Sequence, residues 1–153
     1  KVGVDEAVLN KLTPLTEADW QMIRSHPLKG AEIVSGIKHI EPVALWITLH
    51  HERPDGKGYP FGLKLGEIPI EAHIIAVVDA FDAMVGDDEK GEQRPYRKPK
   101  TVPEAIAELQ KGAGTQFHPE VVRAFIDALA AGEFGVEHAK HAVSAVAKRQ
   151  AVA

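Results

Sequence analysis

Cysteine is missing from the 153-residue chain altogether, which excludes a disulfide framework, a thiolate metal site and a cysteine nucleophile. That composition fits an intracellular, cytoplasmic protein. Long apolar runs are missing too, and none approaches the roughly 20 residues of a bilayer-spanning helix. There is no basic excess: Lys plus Arg number 18 against 22 Asp plus Glu, for a net charge of −4. Nothing in that balance argues for a nucleic-acid or membrane-surface partner. An initiator methionine and a signal peptide are also absent, and the chain opens at Lys1-Val2-Gly3-Val4 as an excised piece of a longer protein would. What is present is ordinary for a globular domain: 44% apolar and 26% charged residues, in a length that one core can serve.

Apolar spacing is mostly helical. Val4 to Asn10 reads as a short helix or turn. Thr16 is an N-cap with Asp19 as its capping-box partner. The helix it opens ends near His26-Pro27, because the residue before a proline is steered out of the helical region. A separate helix over 28–35 is closed by Gly36, and a third begins at Glu41-Pro42, where proline is tolerated. Arg53 to Ile68 is a Gly- and Pro-rich loop, of a length that tends to carry function. Pro69 opens an apolar helix to about Met84, and its Ile74, Ile75, Val77, Val78 and Phe81 predict extensive burial. Residues 86–93 read as an exposed charged insert. Thr101 with Glu104 caps a further helix ended by Gly112 and Gly114, and Pro119 starts one running to about Ala131. Val136 to Ala153 reads as a C-terminal amphipathic helix following a domain of residues 1–135. The predicted fold is all-α, a compact helical bundle.

The run from His50 to Pro60 carries the most chemistry: two histidines, a carboxylate, then a loop of Gly, Asp and Pro. Adjacent histidines on a helix point roughly 100° apart, so they are poor chelators of one ion but suited to two neighbouring ions. His26, His50, His51 and Asp79 are the candidate metal ligands, each in or at the end of a predicted helix, as bundles build such sites. Imidazole plus carboxylate without thiolate favours iron, manganese or zinc. Asp79 lies in an otherwise apolar helix, where a buried carboxylate is costly unless paired or metal-bound. Taken singly, each histidine has an ordinary reading as a surface or core residue, and Asp79 as a salt-bridged acid. Their combination with the Asp-Gly-x-Gly-Tyr-Pro loop points to metal. His39, His73, His118, His138 and His141 have no such context and read as structural or surface residues.

His50 to Pro60 matches the pattern HHExxDGxGYP, and the chain thereby resembles the HD-GYP family of bacterial cyclic di-GMP phosphodiesterases. Ser25-His26-Pro27, Ala76 to Ala83, Arg94-Pro95-Tyr96-Arg97 and Phe117-x-Pro119 fall in the family's order, and the resemblance covers about residues 1–131. It implies an all-α fold of the HD phosphodiesterase type and a centre of two or three divalent metals, typically iron or manganese, held by His26, His50, His51 and Asp79. It implies hydrolysis of cyclic di-GMP to linear pGpG or GMP by a metal-bridged hydroxide. Lys1, Arg94 and Arg97 would contact substrate phosphates. Gly58, Tyr59 and Pro60 would shape the site or dock diguanylate cyclase domains, or form a plain turn. Asp55 and Asp82 would fix the loop and orient ligands. An upstream sensory or receiver domain is implied as well.

The chain departs from the family pattern in several places. The His-Asp pair would fall immediately before residue 1, so Lys1 is either the end of that element or a solvated lysine. His73 stands where the family usually has Arg, and His118 where Asp is usual. The segment between Asp79 and Arg94 is longer than usual and acidic at Asp87-Asp88-Glu89. These departures leave two expectations: a phosphodiesterase, or a catalytically incomplete regulatory module that binds partners through the Gly-Tyr-Pro loop. Hydrolysis of a hybrid cyclic dinucleotide is a further possibility.

Overall fold

Helix starts in this chain are written locally. Thr16 accepts from the Asp19 amide at 3.3 Å while the Asp19 carboxylate accepts from the Thr16 amide at 2.7 Å, satisfying donors that the first turn leaves unpaired. Lys11 adds an ion pair to the same carboxylate, and this hydrogen bond with those from Thr16 holds the Asp19 carboxyl down at about 2. Glu104 closes the equivalent box on Thr101 at 2.8 Å.

The computed structural model describes residues 3–85 and 99–132. Among these, α1 spans Glu6–Leu9, α2 Glu17–Ser35, α3 Glu41–Leu49, α4 Ile70–Val85, α5 Val102–Gly112 and α6 Pro119–Ala131, with one 3-10 turn at Leu65–Glu67. The fold is all-α. Lys1, Arg94, Arg97 and the expected helix over 136–153 lie outside the described residues.

Two expectations about helices are corrected. The break at His26-Pro27 does not occur, and Pro27 lies inside the continuous helix α2. Proline has no N–H to give the carbonyl four residues back, which is Ile23 here. The His26 ring serves that carbonyl instead, with Nδ1 at 2.6 Å. Pro27 itself is fully buried, so packing holds the helix through a residue that would end it locally.

Helix α4 is also less covered than its composition predicts. Ala72, His73, Val77 and Met84 are buried, and Val77 and Met84 join Leu109, Phe117 and Val122 of the α5–α6 side in the main core. Ile70, Ile74 and Val78 instead stay exposed along a groove they share with Val121 and Phe125 of α6. Asp79 is exposed as well. It lies two residues past Val77, about 200° around the helix, and so points away from the core that Val77 enters.

Helix α3 packs on α2, and a glycine sets how closely. A Cβ at Gly30 would stand 3.1 Å from the Ile47 Cγ2. Gly30 is one turn from His26 and Ile47 one turn from His50, so this close approach brings the two imidazoles together.

Candidate metal centre

His26, on α2, meets His50 and His51 at the end of α3. Ring centroids lie 5.5 Å apart for His26–His50, 4.9 Å for His26–His51 and 4.0 Å for His50–His51. One nitrogen from each ring falls within 4.8 Å of the others. Helix α3 ends at Leu49 and His50 is its C-cap, still in the right-handed helical region at φ −66° and ψ −10°. The two rings lie side by side, tilted by 39°.

The backbone fixes which nitrogens are available. His26 Nδ1 faces the Ile23 carbonyl at 2.6 Å and His50 Nδ1 faces the Ile47 carbonyl at 2.5 Å. A carbonyl can only accept, so both Nδ1 atoms carry the proton, and in the neutral imidazole this leaves the lone pair on Nε2. One carbonyl is released by Pro27, and the other belongs to the last turn of α3, where intrahelical donors run out. The imidazoles are thus held in the tautomer that a metal ligand needs. A divalent transition metal fits this donor set.

The loop after His51 folds back over the cluster. Tyr59 stacks on His51 at 4.8 Å with a 29° tilt, and its amide donates to the His51 carbonyl at 3.2 Å. Burial, reinforced by the charge of Asp79, pushes the Tyr59 phenol up to about 12. Gly58 permits this return: a Cβ there would stand 2.5 Å from the Arg53 nitrogen and the Glu52 Cα. The Tyr59–Pro60 peptide is cis.

Glu52 was no candidate from the sequence, yet it organises the loop. Only 2% exposed, its carboxylate accepts from the amides of Phe61 at 2.6 Å, Gly62 at 3.1 Å and Leu63 at 2.9 Å. A buried carboxylate is tolerable only with such partners. The sequence signal was an acid directly before a Gly-Pro loop, whose free amides need an acceptor. Asp55 holds the next stretch, taking Arg53 in a two-pronged ion pair at 3.0 and 2.7 Å and the Lys57 amide at 3.1 Å.

Asp79 is not within the tight group of three histidines, but it lines the same cleft as His51 and Tyr59. Asp82, one turn further along α4, is exposed. The cleft, of about 520 Å³, runs from His51, Tyr59 and Asp79 out to Leu12, Leu15 and Trp20.

A second histidine pair lies elsewhere. His73 and His118, the two departures noted above, meet with ring centroids 5.0 Å apart. His73 Nε2 and His118 Nδ1 are buried without hydrogen-bond partners among the described residues. Burial, and next the neighbouring His118, depress the His73 pKa.

The HD domain family model matches residues 5–121. The chain is 41% identical over 128 residues to a cyclic di-GMP phosphodiesterase of Thermotoga maritima, covering 82% of this chain and 33% of that protein. It is 39% identical over 128 residues to a cyclic di-GMP phosphodiesterase response regulator of Xanthomonas campestris, covering 82% and 32%. With a 3'3'-cGAMP-specific phosphodiesterase of Vibrio cholerae it shares 33% identity over 129 residues, covering 84% and 27%. The chain spans about a third or less of the length of these relatives. No helix among the described residues is long and apolar enough to cross a membrane. With the double-histidine motif at the centre of its histidine cluster and the family model matching most of its length, the chain belongs to the HD domain family, of the HD-GYP type.

Proposed function

We propose that this chain is the hydrolytic domain of a cytoplasmic, metal-dependent phosphodiesterase that opens cyclic di-GMP to linear pGpG or GMP. The observation that carries this reading is the convergence of His26, His50 and His51 nitrogens within 4.8 Å, with His51 lining a cleft of about 520 Å³ beside Tyr59 and Asp79. Bound divalent metal, iron or manganese, would supply a water-derived nucleophile and neutralise phosphate charge there. His26 and His50 present Nε2 to it, His51 is held in plane by Tyr59, and Asp79 offers a carboxylate from the facing helix. Lys1, Arg94 and Arg97 contribute the phosphate-binding cations, guanidinium being suited to two-pronged phosphate contacts. Asp55 keeps the loop in shape, and Asp82, exposed one turn beyond Asp79, orients ligands.

In the same reading the Gly58-Tyr59-Pro60 loop, which leaves Phe61 62% exposed, docks diguanylate cyclase domains, and a sensory or receiver domain precedes the chain. The resemblance to cGAMP-specific relatives favours one second substrate, the hybrid cyclic dinucleotide. Elemental analysis and chromatography of products from both cyclic dinucleotides, on the complete gene product, test the proposal. Bound metal with release of pGpG or GMP is the expected result. A metal-free, inactive protein would leave only the regulatory-module reading.

A further inference from the structure

We infer that Trp20 and the apolar wall beside it form a subsite for a purine base of the substrate, an inference that rests on the cyclic-dinucleotide reading. Trp20 lies in the first turns of α2 and is 41% exposed. Its indole lines the same cleft as His51, Tyr59 and Asp79. Trp20 precedes His26 by six residues, a rise of about 9 Å along the helix. The sugar and base of one nucleotide cover that span when its phosphate lies at the histidine cluster.

The chemistry of the outer cleft selects a flat, uncharged group over a second phosphate. Its walls there are Leu9, Leu12, Pro14 and Leu15, and Leu12 is 74% exposed. The cation on that wall, Lys11, is already engaged by the Asp19 carboxylate. Arg24 lies over the indole, 5.8 Å from its centroid, and within 3.7 Å of Glu17. A phosphate entering here would meet Lys11, the one cation of the cleft lining among the described residues, which already has a partner. A purine would meet aliphatic walls and an aromatic face, and base–aromatic stacking tolerates any base because each has a π-face.

Two measurements test the subsite. In the metal-loaded protein, W20A should raise KM for cyclic di-GMP about tenfold, with little change in kcat. W20F should recover most of the loss, and the penalty should be confined to substrates with bases, sparing bis(p-nitrophenyl) phosphate. Equal losses on both phosphodiesters, or none on cyclic di-GMP, would overturn the inference.

The second measurement needs no turnover. In a W46F background Trp20 is the remaining tryptophan, and a phosphorothioate analogue of cyclic di-GMP should quench its emission. Quenching by the analogue in a protein that does not hydrolyse cyclic di-GMP itself would overturn the hydrolase reading and keep the subsite. Hydrolysis with unquenched Trp20 would overturn the subsite and keep the hydrolase reading, and emission that responds only to a protein partner or a second copy would overturn the subsite.

Discussion

His26 donates its Nδ1 proton to the Ile23 carbonyl across 2.6 Å, and it can do so because Pro27 leaves that carbonyl without a backbone donor. The proline therefore acts on the histidine before it. P27A restores a competing N–H. Helix propensity favours Ala by about 3 kcal/mol, while two lost buried methylenes cost about 0.8 kcal/mol each, so the thermal midpoint should hold or rise. Metal affinity, measured by titration of the metal-free protein, should fall about tenfold as the ring loses its orienting bond. A fall in midpoint with unchanged affinity would show that Pro27 serves packing alone.

Glu52 makes a stronger demand. Replacing it by Gln puts an amide against three backbone donors that now share one acceptor oxygen. Each buried donor left unpaired costs about 1–3 kcal/mol. E52Q should unfold at lower denaturant, and the amides of Phe61, Gly62 and Leu63 should exchange faster than the rest of the loop. Unchanged exchange at those three positions would contradict the clamp.

The glycines at helix and loop crossings should resist substitution for a steric reason. G58A forces a Cβ to within 2.5 Å of backbone atoms, so the loop must lift away from His51. Overpacking of this kind costs about 1–3 kcal/mol, and the ring-current shift that Tyr59 imposes on the His51 protons should collapse with it. Retention of that shift in the NMR spectrum would argue that the loop adapts.

His73 sets a pH dependence of stability. Its folded pKa is depressed, by burial first and His118 second, below the roughly 6.5 of an unfolded histidine. Above that value both states are neutral and stability is complete. As pH falls from there toward the folded pKa, only the unfolded chain gains the proton, and stability is lost. The thermal midpoint should drop on acidification through this window, and H118D should reverse the sign by giving His73 an anionic partner. A midpoint equally pH-dependent in H73L would assign the effect to other groups.

The helix starts were legible because capping is local: Thr16 with Asp19 and Thr101 with Glu104 declare themselves within four residues. The histidine motif was legible for the same reason. Pro27 was not, since its continuation of α2 depends on a side-chain bond and on burial that spacing cannot show. The burial expected around Asp79 was not legible, because an apolar helix does not say which of its faces a neighbour covers. Glu52 and the His73–His118 contact depend on partners brought together by the fold, and a reading along the chain sees only one side of each.

The most direct test of the central claim is metal content measured beside turnover of cyclic di-GMP, for the wild-type protein and for H26A, H50A and H51A. The account predicts bound iron or manganese and product release in the wild type, with each substitution lowering both by at least tenfold. Full metal content and full turnover in all three variants would show that the histidine cluster is not the catalytic centre.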